Sequence, residues 1–311
     1  MQLEKMQGDR DISEVMEPLV SVVVVTYNSS ATVLETLESV LAQSYRKIEL
    51  IITDDCSTDA TVTVCEQWLF KNADRFVKTQ VRTVDKNTGI PSNCNRGLNM
   101  ASGSWVKFIA GDDVLMPDCV TDNIEFVTQH PAAKLVQSRC DFYTDTFEAK
   151  NFSFTLSFSR ERFFAEQTSA ASQHQLLLLK NWLLAPSVFV HTASLTSSGG
   201  FDEKLRYKED WPLWLNMTRS GIKVHYFDKV TIKYRRSNDS VMKMSQPFMS
   251  KAYAVDSLVF HSIYIQPHVT FFVSFRYKLS MRLIIFFNDV GLNRNSLLSK
   301  LIFSCLYKIK P

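Results

Sequence analysis

The sequence has no G-x-G-x-x-G segment after its first apolar run and no G-x-x-x-x-G-K-[ST] loop, which disfavours dinucleotide and P-loop chemistry. Glycine and proline are scarce, nine of each in 311 residues, and no internal repeat or low-complexity tract occurs. The six cysteines (Cys56, Cys65, Cys94, Cys119, Cys140 and Cys305) show no C-x-x-C spacing and no histidines at zinc-finger intervals. Neither a disulfide framework nor a zinc module is therefore expected, and reduced thiols in a cytosolic setting are. No uncharged apolar run reaches the ~18 residues a membrane span needs. The richest stretch, Val269 to Phe287, is broken by Arg276, Lys278 and Arg282. The segment from Met1 to Glu17 is polar and lacks an apolar h-region, so it does not read as a signal peptide. The net charge is only +3, and nucleic acid is not expected as a partner.

What is present fits a folded α/β chain. Hydrophobic residues make up 45% and aromatics 12%, enough for a buried core in one large or two smaller domains. Val20 to Val25 is a β-branched run without polar alternation, as expected of a strand covered on both faces. Ser29 to Gln43 has helical spacing, with Ser29 or Ser30 as cap. Ile48–Thr53, Val77–Val84, Trp105–Ala110 and Lys134–Tyr143 read as further strands. Between them lie helices that open near Thr58 or Asp59, at Pro91 and at Pro117. This alternation predicts a doubly wound, mostly parallel sheet with helices on both faces. Thr144 to Gln173 has little periodicity and reads as a long loop, and the last 60 or so residues look helical.

In open α/β sheets ligands bind beyond the carboxyl ends of the strands. Three strand ends carry polar clusters here: Thr26-Tyr27-Asn28, Asp54-Asp55 and Gly111-Asp112-Asp113. Asp55 suits hydrogen bonds from a nucleobase or ribose. Asp112 and Asp113 suit a divalent cation that neutralises a diphosphate. Either pair alone also fits a turn or a helix cap. Further on, Gly199-Gly200-Phe201-Asp202 precedes Glu209-Asp210 at a helix start, where a carboxylate is favoured by the dipole. By local pattern alone, Glu209 or Asp210 reads as an N-terminal cap.

Taken in order, these stretches resemble the family 2 glycosyltransferases of GT-A fold. The likeness rests on Val20–Asn28, Leu37–Ser44, Ile51–Asp59, Asn87–Gly89, Asn95-Arg96-Gly97, Gly111–Asp113, Gly199–Asp202 and Glu209-Asp210, and spans about Pro18 to Ser240. It implies a catalytic domain over residues 18–240, with a nucleotide half (18–115) and an acceptor half (116–240). Residues 1–17 precede it and a helical, basic amphipathic part (241–311) follows. It implies nucleotide contacts from Thr26, Tyr27, Asn28, Asp55, Asn95, Asp112 and Arg235, with Asp55 near a uracil. Asp113, with Asp112, would hold Mn²⁺ or Mg²⁺, and Asp210 would be the catalytic base. Ser237 stands where many relatives carry a histidine, so no third protein ligand is implied. Single displacement with inversion needs one base at the reacting centre, unlike the carboxylate pair of hydrolases.

The implied reaction moves a hexose, galactose or glucose preferred, from a UDP-sugar to a lipid-linked saccharide in O-antigen or capsule assembly. A non-catalytic sugar-nucleotide-binding or scaffold role is the alternative. From Lys251 onward eight basic residues face only Asp256 and Asp289, giving +6 against −3 for the rest. Phe272, Phe275, Leu279, Leu283 and Phe286 recur at helical spacing there. This part is expected to lie on a membrane surface, or else to pack on the catalytic domain or on a second copy in a homo-oligomer. The first option places the protein in the cytoplasm, peripheral at the inner face of the plasma membrane.

Overall fold

In the valine run, Val20, Val22 and Val24 join one apolar cluster while Val23 joins another on the opposite side of the sheet. Coverage on both faces is what a β-branched run without polar alternation requires. The computed structural model describes residues 17–236 and 249–293. The strands are β1 (Val20–Thr26), β2 (Ile48–Asp54), β3 (Lys78–Arg82), β4 (Trp105–Ala110), β5 (Val114–Leu115), β6 (Leu135–Thr144), β7 (Phe152–Leu156), β8 (Val188–His191) and β9 (Val224–Arg236). The helices are α1 (Val33–Leu41), α2 (Thr61–Asn72), α3 (Ile90–Met100), α4 (Cys119–Gln129), α5 (Ala170–Leu177), α6 (Thr192–Ser197), α7 (Asp210–Arg219), α8 (Lys251–Phe260) and α9 (Phe271–Asp289).

One sheet runs β3-β2-β1-β4-β8-β6-β9-β5, with β7 paired to β6. The first four strands are parallel. Strand β8 then joins β4 and β6 antiparallel, while β6 and β9 run parallel. Lys107, fully buried on β4, stands where the short β4–β8 ladder ends. Its ammonium donates to the carbonyls of Pro186 and Val188, so a side chain satisfies backbone acceptors that the ladder no longer reaches.

Helix α3 crosses close to the sheet at Gly97, where a Cβ would come within 2.3 Å of Val23 Cγ1. Only glycine permits that approach, which brings α3 and its Asn93, Asn95 and Arg96 against the ends of β1 and β2.

Two expectations need correction. The segment after residue 144 is no long loop: β7 forms a hairpin with β6, and the Phe142 and Phe154 rings stack at 4.6 Å. Five half-exposed residues are too short a pattern to reveal a strand whose partner lies across a turn. Neither Ser29 nor Ser30 caps α1 through its side chain; the chain turns first, with Thr32 and Val33 donating to the Ser29 carbonyl.

After β9 and residues outside the described part, α8 and α9 pack as an antiparallel pair. An ion pair Lys251–Asp289 (2.6 Å) joins the start of α8 to the end of α9, and His261 bonds Ser274 (3.0 Å) at the other end.

Candidate active site

At the end of β1 the buried Thr26 hydroxyl donates to Asp54 Oδ2 (2.8 Å). The next residue, Tyr27, leaves its ring half exposed above the sheet edge. Asn28 adopts a left-handed φ of 50° and accepts from Thr58 N (2.9 Å), which ties the β1–α1 loop to the β2–α2 loop. Asp55 is more heavily engaged than expected. Its carboxylate accepts from Thr88 N and Oγ1 (2.7 Å), Gly89 N (2.7 Å) and Arg96 Nη2 (2.6 Å). Burial works against ionisation there, but these donors prevail and hold the carboxyl below its usual range. Asp55 is thus a fixed anion that shapes the Asn87–Gly89 turn.

At the end of β4, Gly111 lies against Thr26 and Ser29, leaving no room for a Cβ. Asp113 is buried and accepts from Arg235 N (2.9 Å); Asp112 beside it is half-buried. Burial pushes both carboxyls up, and the neighbouring Asp112 charge pushes Asp113 further. Arg235 offsets this only partly. Its guanidinium donates to Glu35, to the Asp112 carbonyl (2.8 Å) and to the Asp145 carbonyl, and lies 4.2 Å from the centre of the Phe147 ring. Arg235, expected to contact the nucleotide, ties β9 to α1 and to the loop after β6.

Among the described residues no group of three or more His, Cys, Asp or Glu side chains is arranged around a common point. Two adjacent, charge-strained carboxylates nonetheless fit Mg²⁺ or Mn²⁺, which take one or two protein carboxylates and complete their shell with water and substrate phosphate. Ser237, the residue at the third-ligand position, lies outside the described part.

The third cluster is built by long-range clamps. Gly199 and Gly200 carry φ of 97° and 66°. The Asn95 amide grips Phe201, accepting from its N–H and donating to its carbonyl (both 2.9 Å), and also reaches Glu203. Asn95, expected to contact the nucleotide, thus positions the Gly-Gly-Phe-Asp turn. Asp256 of α8 accepts from Arg206 N (2.7 Å) and Tyr207 N (3.2 Å), and Lys208 Nζ donates to Tyr253 Oη (2.8 Å).

Helix α7 then starts at Asp210, whose carboxylate accepts from Asn181 Nδ2 (2.8 Å) and from Trp211 N (2.6 Å). Burial raises its pKa. Burial, then the charge of Asp210, pushes Glu209 up to about 8. Burial thus disfavours charge on both acids, while the two N–H donors on Asp210 favour its ionised form.

These clusters share one neighbourhood. Burial pushes the Cys94 thiol on α3 up, and the charges of Glu209, Asp210 and Asp55 all add to the shift. Tyr234 on β9 is raised by burial and then by Asp113, Asp112 and Glu209. Acids up to 155 positions apart in the chain, Asp55 and Asp210, thus act on common buried groups. Asn181, Asp256 and Glu35 were not anticipated. Asn181 lies in an aperiodic stretch and has no local signal, and Asp256 was visible only as one of two acids in a basic tail.

Removing the Asn181 amide takes a donor from the ionised form of Asp210. If Asp210 acts as a base, activity is present above its pKa and is lost as pH falls through it. The Asn181→Ala pH–rate profile is therefore expected to move its acidic limb to higher pH, with recovery under alkaline conditions. A loss independent of pH would assign Asn181 a purely structural role.

A mixed α/β sheet with acids gathered at its strand ends is the GT-A architecture of glycosyltransferases. The family model for glycosyl transferase family 2 matches residues 21–184, and the chain belongs to that family. WfaP of Escherichia coli, a UDP-Glc:alpha-D-GlcNAc-diphosphoundecaprenol beta-1,3-glucosyltransferase, is 30% identical over 227 residues, covering 72% of this chain and 79% of its own. Residues 1–349 of S. aureus TarS, solved with UDP-GlcNAc, align with a TM-score of 0.59 at 16% identity, over 94% of this chain and 82% of that one. The mannosyltransferase PcManGT from Pyrobaculum calidifontis, solved with GDP-Man and Mn²⁺, gives 0.55 at 16% identity, over 94% and 80%. At such identities the two structures speak for the fold.

Proposed function

We propose that this glycosyltransferase is an inverting enzyme that moves a hexose from a UDP-sugar to a hydroxyl of a lipid-linked saccharide. The setting is bacterial surface-polysaccharide assembly, of O-antigen or capsule type, at the inner face of the plasma membrane. The catalytic unit is residues 18–240. The observation that carries the reading is the placement of Asp210, oriented by Asn181 and Trp211 N, next to Glu209, which shares the buried Tyr234 with the Asp112–Asp113 pair.

In this reading Thr26, Tyr27, Asn28 and Asp55 form the nucleotide end, with the half-exposed Tyr27 ring available to the base. Asp113 holds the metal and Asp112, the more exposed of the pair, reaches the ribose or sugar. Bound Mn²⁺ or Mg²⁺ supplies Lewis-acid stabilisation of the departing diphosphate. Asp210 accepts the acceptor hydroxyl's proton as the oxygen attacks, a role worth about 10²–10⁴-fold. The name of WfaP supports a UDP-hexose donor and a diphosphoundecaprenol-linked acceptor, and the ligands of the two fold neighbours support a nucleotide-sugar donor with Mn²⁺.

A panel of UDP-sugars with Mn²⁺, scored for UDP release, tests this. UDP-glucose or UDP-galactose is expected to turn over, faster with a diphosphate-linked saccharide present and not at all with excess chelator. Binding of UDP without turnover of any sugar would favour the scaffold role.

A further inference from the structure

Helix α9 carries a row of aromatic side chains that the described residues leave uncovered. Phe271 and Phe272 are 85% and 65% exposed, and Phe275, Leu279, Phe286 and Val290 are exposed as well. At 3.6 residues per turn these six fall within about 100° of the helix circumference. The opposite side, with Ser274, Ser280, Met281 and Ile284, is buried towards α8. Arg282, also exposed, projects from within the aromatic arc. Arg276 and Lys278 flank it on either edge, and the Arg276 guanidinium lies 5.8 Å from the Phe272 ring centre. The only acid on α9, Asp289, is paired with Lys251.

We propose that this face of α9 docks on an anionic lipid bilayer, with the helix axis in the plane of the interface. The charge pattern selects this occupant. A second copy packed through the same stripe would bury Arg282 inside an aromatic seam whose one acid, Asp289, is already paired with Lys251, which is costly. At a bilayer surface the same arginine reaches lipid phosphates while its stem stays among the rings, and the flanking cations do the same. Residues beyond the described part add Arg294, Lys300, Lys308 and Lys310, all of the same sign. No described helix is long and apolar enough to cross a membrane, so the helix lies on the surface.

The placement also deepens the proposed function. Helix α8, on which α9 rests, clamps residues 206–208 through Asp256 and Tyr253, immediately ahead of Asp210. Docking would leave the base one helix away from the lipid that carries the acceptor. That purpose rests on the proposed acceptor, whereas the docking itself is measured without donor or acceptor.

The experiment sediments the full chain with vesicles of phosphatidylethanolamine and phosphatidylglycerol, and with phosphatidylcholine vesicles as the neutral control. Selective binding to the anionic vesicles is expected. The double variant Phe272→Ser, Phe275→Ser should lower partitioning at least about 10-fold. Arg276→Gln and Arg282→Gln should each lower it about 5-fold. The melting temperature in vesicle-free solution should stay unchanged in all of them, which shows that they fold. Three results would overturn the proposal: no binding of the parent chain to anionic vesicles, wild-type partitioning of the phenylalanine variant, or a soluble dimer that this variant dissociates. A failed UDP-sugar panel would leave the vesicle result standing, so the two readings fail separately.

Discussion

Asp210→Asn is expected to lower kcat for sugar transfer by about 10²–10⁴-fold, with little change in KM for the UDP-sugar. The substitution keeps size and shape, and the single amide oxygen still accepts from one of the two donors, Asn181 Nδ2 or Trp211 N. What disappears is the capacity to take a proton. Folding should survive, because burial already raises the pKa of this carboxyl and a neutral amide avoids that cost. Steady-state transfer assays beside a thermal melt check both halves. Near-normal transfer by a folded Asp210→Asn protein would remove the base from this position and, with it, the mechanism.

Asp113→Asn should be nearly as damaging. Loss of one of two carboxylates facing a divalent cation forfeits several kcal/mol of leaving-group stabilisation, about 10²-fold or more in rate. The effect on stability has the opposite sign. Burial and Asp112 hold the Asp113 pKa well above its unfolded value. Ionising it in the fold is therefore unfavourable, and the metal-free protein loses stability as pH rises from the usual carboxylate range. An asparagine removes that loss while its oxygen still accepts from Arg235 N. Metal-free Asp113→Asn is expected to melt at or above the parent temperature at neutral pH, and the rise that Mn²⁺ is expected to give the parent should be absent. A variant that still gains stability from Mn²⁺ would place the metal elsewhere.

The strand ends were legible because their signals are local. A β-branched run that stops at Thr26-Tyr27-Asn28, or an apolar run that stops at Gly111-Asp112-Asp113, marks both the strand and the edge to which it delivers polar groups. Residues that act through distant partners were not legible. Asn181 meets Asp210 from 29 positions away, in a stretch without helical or strand period. Arg235 reads from its neighbours as a cation at a strand end. Only the tertiary fold shows its guanidinium committed to Glu35, 200 positions earlier. Asn95 belongs to a recognisable Asn-Arg-Gly triplet, yet its task is set by the Phe201 backbone, 106 positions on. The resemblance located the acids, and the fold shows what orients them.

The pair of backbone amides at Arg206 and Tyr207 that ends on the Asp256 carboxylate has a practical meaning for anyone shortening this enzyme. A fragment cut near position 240 would keep every strand described above and still strand those two N–H groups without their acceptor, just upstream of Asp210. Helix α8 therefore carries the acceptor for the segment that leads into α7, although it follows every strand in the chain.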